Sequence, residues 1–131
     1  MSRLSGPLLD RIDLQVEVPA LEFDELRQTI PSESSADIRK RVTAARLRQL
    51  ARGVDCNAHL DSRQLRQYCA LDEAGEALMK RAYNSMALSA RSYDRILRVG
   101  RTIADLDGSD KIQAQHLAEA ISYRTTDYLK R

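Results

Sequence analysis

"LSARSYDRILRVGRTIADLDGSDKIQAQHLAEAISYR", residues 88–124, is the stretch that decides the fold. Ser89 stands just ahead of a run with helical spacing, the position of an N-cap. At 100° per residue, Tyr93, Ile96, Leu97, Gly100, Ile103 and Ala104 gather on one side of a helix that reaches about Leu106. Gly100 lies at the centre of that side, where a missing side chain lets another helix approach closely. "DGSD", residues 107–110, is a turn, and a last helix is expected near Lys111 to Tyr123. On the side opposite the core, Arg91, Arg95 and Arg98 follow the i, i+4, i+7 spacing, and Thr102 continues the row. Arg91 leads it from the first turn, where a cation opposes the helix macrodipole unless an anion joins it. Two readings follow: a solvated arginine row paired with Asp94 and Asp105, or a phosphate site at a helix N-terminus.

Working back towards the N-terminus, "GVDCNAHLD", residues 53–61, is a loop, with short helices expected from Asp61 or Ser62 to Cys69 and from Leu71 to Met86. In the second, Ala74, Leu78 and Ala82 share a side, and Asp72 and Glu73 sit in the first turn. Ala36 to Arg52 is helical by composition, with Ser34 or Ser35 as its cap and Gly53 closing it. Ile38, Val42 and Ala45 form its apolar stripe. Arg41, Arg48 and Arg52 run along one border of that stripe, and Arg39 and Arg46 along the other. Six basic residues against one acid make this helix the most positive part of a chain whose formal charge is only +2. It is either a solvated face with snorkelling arginines or a nucleic-acid contact through Arg41, Arg48 and Arg52.

"IPSESS", residues 30–35, marks a linker after a short helical candidate at Phe23 to Thr29. Ahead of it Ile12 to Val18 alternates apolar and polar residues, a strand with one buried face, ended by Pro19. No other convincing strand exists in the sequence to pair with it. Arg11, between Asp10 and Asp13 at the start of that strand, is either a surface ion pair or a charge held there for a purpose. The expected fold is therefore mainly α: a helical bundle preceded by an extended segment with one orphan strand.

Composition bounds the rest. With 131 residues, 43% of them apolar, the chain is one domain in size and buries about two-thirds of its unfolded surface. Aromatics make up 5% and Trp is absent, so the core is aliphatic. Cys56 and Cys69 form no CxxC pair, and His59 and His116 are too scattered for a zinc site, so no metal centre is expected. No apolar run approaches the roughly 20 residues of a membrane span, and no secretory segment is visible. A cytoplasmic location is expected.

Two stretches also carry a resemblance. "LSGPLLDRIDLQVEVP", residues 4–19, is similar to the segment entering the last core strand of magnesium-chelatase-like AAA+ ATPases, and residues 88–124 resemble the end of their C-terminal helical lid. The competence-associated group of that family matches best, and "DSRQLRQYC" and "ESSADIRKRVTAAR" fit by position. The resemblance spans Ser2 to about Tyr128. It implies that residues 1–30 end an AAA+ core and that residues 31–131 form the lid. It implies that Arg11 is an arginine finger reaching ATP in a neighbouring subunit, and that Arg91, with Arg95 nearby, is the sensor-2 arginine. Ile12 stands where the related minichromosome-maintenance helicases have an aromatic residue.

A GxxxxGK[ST] loop and a strand ending in paired acids are both absent, so no nucleotide cradle is encoded. The chain is expected to be the C-terminal fragment of a longer ATPase that uses ATP with Mg2+. The resemblance further implies a homo-hexameric ring that acts on DNA, while the fragment itself is not an enzyme. The alternatives are an autonomous helical nucleic-acid-binding module and a helical adaptor that contacts only proteins.

Overall fold

The computed structural model describes residues 33–129, with side chains through Arg124, and Leu14 ahead of them. The expected strand Ile12 to Val18 (Leu14 apart), the short helix Phe23 to Thr29 and the first half of the linker, residues 30–32, lie outside the described residues. Five helices follow one another in the described part: α1 Ser35–Ala51, α2 Ser62–Tyr68, α3 Glu73–Ser85, α4 Ala90–Leu106 and α5 Ala114–Leu129. A 3-10 turn, Asn57–His59, lies between α1 and α2. No strand occurs among the described residues. The described part is mainly α, as the periodicity predicts.

Local chemistry sets the helix starts. Ser34 accepts from the Asp37 amide at 3.1 Å, Asp72 from Gly75 at 2.7 Å and Ser89 from Ser92 at 3.1 Å. Asp61 and Gln64 form a reciprocal capping box. Each such cap stabilises its helix by about 1 kcal/mol. The end of α4 is a Schellman turn: Ser109 donates to the Ala104 carbonyl and Gly108 to that of Asp105. Gly108 takes the left-handed φ of 71° that this turn requires.

The centre of the bundle is α4, which touches α1, α2, the 3-10 turn and α5, while α3 packs on α5. Ile96, Leu97 and Ala104 of α4 join Leu60, Leu65, Met79, Ile112 and Leu117 in one core. The expected role of Gly100 is seen directly. Leu117 of α5 fits between two glycines, its methyls 3.1 Å from where a Cβ would stand on Gly75 of α3 and on Gly100 of α4. Three helices approach closely because two of them lack a side chain at that level.

Two expectations need correction. The stripe proposed for α1 is only half apolar in use: Ala45 is buried, but Ile38 and Val42 remain 42% and 48% exposed. The helix docks instead through Ala45, Arg48, Gln49 and Arg52, a stripe of 3- and 4-residue steps that is mostly polar. On α3, Ala74 is exposed, and Gly75 and Met79 turn inward with Leu78 and Ala82.

Candidate functional site

The N-terminus of α4 is the place where charge is left available. Ser89 caps it, and Ala87, two residues earlier, holds a left-handed φ of 49°, a conformation costing a non-glycine residue about 1 kcal/mol. That turn sets the direction in which α4 starts. Arg91 lies in the first helical turn, exposed to solvent and with no hydrogen bond or ion pair among the described residues. Below it Ser92 is buried, and the buried guanidinium of Arg124 from α5 reaches within 3.5 Å of the Ser92 hydroxyl. Arg91 thus stands at the positive end of a 17-residue helix whose buried side at Ser92 is contacted by Arg124. Arg95, one turn on, is half-buried and already has a partner.

The rest of the arginine row is not solvated. Arg98 donates through two nitrogens to the Leu60 carbonyl, at 2.9 and 3.2 Å. Thr102 accepts from the Asn57 side chain at 3.0 Å. This side of α4 seats the loop between α1 and α2, which has backbone and amide groups to satisfy. Asp105, expected as a surface partner of the row, is 1% exposed.

Asp105 instead organises a buried network. Its carboxylate takes a two-pronged pair from Arg52 of α1, a further contact from Arg101 at 3.2 Å and the Asn57 amide at 2.9 Å. Arg101 also donates to the carbonyls of Tyr68, Ser109 and Asp110, while its Nε is buried without an acceptor. The hydrogen bond to Asp105 raises the Arg52 pKa above its ordinary value, whereas burial lowers that of Arg101. Burial also pushes the neighbouring Cys69 thiol up to about 11, against the pull of Arg101, Arg52 and Arg98.

Arg41, Arg48 and Arg52 therefore do not form one free track. Arg41 pairs with Glu33 at 2.9 Å, Arg48 with Asp110 at 3.0 Å and with the Gly108 carbonyl, and Arg52 is turned into the bundle by Asp105. The first two pairs have exposed acids and are worth about 0–1 kcal/mol, so a phosphate could displace them. Arg52 is held far more strongly because Asp105 has no water to turn to. The sequence pattern did not reveal Arg101, Asn57 or Arg124 and set Asp105 on the surface; the signal for Arg101 and Asp105 was their i, i+4 spacing beside the core face. Arg11 lies outside the described residues.

Among the described residues no group of three or more His, Cys, Asp or Glu side chains could hold a metal ion, and no helix is long and apolar enough to cross a membrane.

The family model for the C-terminal part of magnesium chelatase subunit ChlI matches residues 32–124, which take in α1 to α4 and most of α5. The chain belongs to that family. The model for magnesium chelatase subunit ChlI itself matches residues 1–26. An Escherichia coli K12 relative, "Uncharacterized protein YifB", is 47% identical over 98% of this chain. The Haemophilus influenzae "Competence protein ComM" is 44% identical over 95% of it. A Mycobacterium tuberculosis relative is 34% identical over 96%. The chain spans about a quarter of the length of these curated relatives. The resemblance read from residues 4–19 and 88–124 is thereby confirmed for magnesium-chelatase-like proteins of the YifB and ComM kind.

Proposed function

We propose that this chain acts as the helical lid of a ring-forming AAA+ ATPase, with Arg91 as a phosphate-binding residue of the ATP site and Arg11 as an arginine finger directed at a neighbouring subunit. Residues 1–30 belong in this reading to the end of the ATPase core and residues 31–131 to the lid. The observation that carries it is the state of Arg91. It is exposed, unpaired among the described residues and set in the first turn of a capped helix, so a phosphate oxygen would find a guanidinium and the positive helix end together. Those groups fit a nucleotide phosphate. Magnesium is left to residues beyond the described ones.

ATP supplies the phosphoryl group when bound in the whole protein. Arg91 would hold and orient a phosphate oxygen there, with Arg95 behind it and Arg124 fixing the turn below. Because phosphoryl transfer is catalysed largely by positioned positive charge, these side chains contribute by placement and not by covalent chemistry. The test is made in the full-length protein. Arg91→Ala is expected to lower ATP turnover at least ten-fold and Arg91→Lys to restore part of it, with the fold unchanged by circular dichroism. Unaltered turnover and nucleotide affinity in Arg91→Ala would end this assignment.

The same reading places the whole protein in the cytoplasm as a hexamer that works on DNA, with Arg41 and Arg48 of α1 as the lid's phosphate contacts. Arg52 is excluded from that role by its pairing with Asp105.

A further inference from the structure

A cleft crosses the bundle beside the N-terminal half of α4. On one side of Tyr93 it is a hollow of about 490 Å³ floored by Leu65, Cys69, Leu71 and Leu97; on the other it continues for about 510 Å³ past Tyr83 and Ala90. Tyr83 and Tyr93 meet edge to face, 6.1 Å between ring centres, and Tyr83 is 45% exposed. Glu76 of α3 and Asp94 of α4 border both halves and face the Tyr93 ring, and neither has a hydrogen bond or ion pair among the described residues. Arg66 lines only the first half and Lys80 only the second, whereas the two acids line both. The middle of the cleft is thus apolar below, aromatic at the wall and negative at the rim.

The complementary surface is on the same molecule. The outward face of α1 carries Leu47 and Leu50, 61% and 51% exposed, the two most exposed large apolar side chains described. Lys40 shares that face and Arg39 borders it, both exposed and unpaired among the described residues. One molecule cannot satisfy itself. α1 is tied to the last turns of α4 through Asp105, whereas the cleft lies around Asp94, about 16 Å away along the helix at 1.5 Å per residue.

We propose that the outward face of α1 in one copy of this chain seats in the α3–α4 cleft of the next, Leu47 and Leu50 against the tyrosine wall and Lys40 and Arg39 towards Glu76 and Asp94. The contact is heterologous, so each copy keeps one free donor face and one free cleft, and the arrangement propagates or closes into a ring. It uses neither Arg91 nor the Arg41 and Arg48 border, so it stands or falls separately from the phosphate reading. A single helix face buries less than the roughly 1,200 Å² of stable complexes, which makes the contact weak.

Sedimentation equilibrium of the 131-residue chain, taken to near-millimolar concentration at low salt, tests this. Reversible self-association that weakens with added salt is expected. The variants Glu76→Lys/Asp94→Lys and Arg39→Glu/Lys40→Glu should each associate at least about ten-fold more weakly, since like charges then face each other. An equimolar mixture of the two, in which every facing pair is again opposite in sign, should recover assembly. Leu47→Ser, which changes no charge and removes a side chain that is 61% exposed, should weaken it as well. A chain that stays monomeric throughout, variants that associate like the parent, or a mixture that stays monomeric would each overturn the proposal.

Discussion

Replacing Asp105 with asparagine keeps the shape of the side chain and removes one charge from the most constrained site in the bundle. In the native chain that carboxylate, with a fully buried side chain, balances Arg52 at 12% side-chain exposure and Arg101 at 3%. Asparagine leaves two nearly buried guanidiniums with no counter-charge and turns an amide donor towards other donors. Breaking a buried ion pair by removing one partner costs about 3–5 kcal/mol. Here one acid serves two bases, so the upper half of that range is expected. A domain of this size has about 5–15 kcal/mol in all and loses about 3–5 °C of Tm per kcal/mol, so Asp105→Asn should melt at least about 12 °C lower. Arg52→Met should cost less, about 1–3 kcal/mol, because Arg101 and Asp105 then remain as a balanced pair. In the double variant the penalty of unbalanced charge is partly relieved, and a coupling of about 1 kcal/mol or more should appear. Urea denaturation followed by far-UV circular dichroism measures all three variants; Asp105→Asn within about 1 kcal/mol of the parent, or strict additivity, would refute the reasoning.

Gly100→Ala should destabilise by about 1–2 kcal/mol despite the roughly 1 kcal/mol gained in helix propensity, because Leu117 is held on its other side by Gly75 and cannot move away; a more stable variant in thermal melts would contradict that packing. Cys69, with its thiol pushed up to about 11, should resist a disulfide reagent at pH 8 until the chain is unfolded, while the half-buried Cys56 reacts in the native state; two rapid thiols would show the site to be open. The neutral thiol favours the fold, so its contribution is complete below the unfolded thiol's value near pH 9 and fades as pH rises through about 11, which denaturation at pH 8 and 11 measures. In the full-length protein, Arg11→Ala should leave ATP affinity nearly intact and cut turnover at least ten-fold; full activity of the variant would exclude a finger. Arg41→Ala/Arg48→Ala should lower the salt slope of DNA binding by about 0.7–0.9 for each phosphate no longer neutralised, and an unchanged slope would remove α1 from the DNA surface.

The helices were legible because their signals are local. Ser34, Asp61, Asp72 and Ser89 each announce a start within three residues of the amide they cap, and the period of residues 93–104 places Ile96, Leu97 and Gly100 inside. What stayed hidden is non-local. Asp105 reads as a surface partner of the arginine row on a helical wheel, and only Arg52, 53 residues earlier in the chain, explains why an acid can be buried there. Likewise Arg98 looked solvated until the loop carbonyl of Leu60, 38 residues away, came to rest on it. Arg91 was legible for the opposite reason: its place at a helix start depends on neighbours in sequence alone.

The clamp at one end of α4 and the wedge of Leu117 at its middle also have a mechanical meaning. A helix of 17 residues is about 25 Å long, and this one is gripped by α5 near its midpoint and by α1 at its far end. It cannot slide along its axis without tearing Leu117 from between two glycines or dragging Arg52 from its acid. On the reading of Arg91 as a phosphate ligand, a pull on that side chain would tilt α4 about the glycine level, and the Arg52–Asp105 pair would pass the tilt to α1.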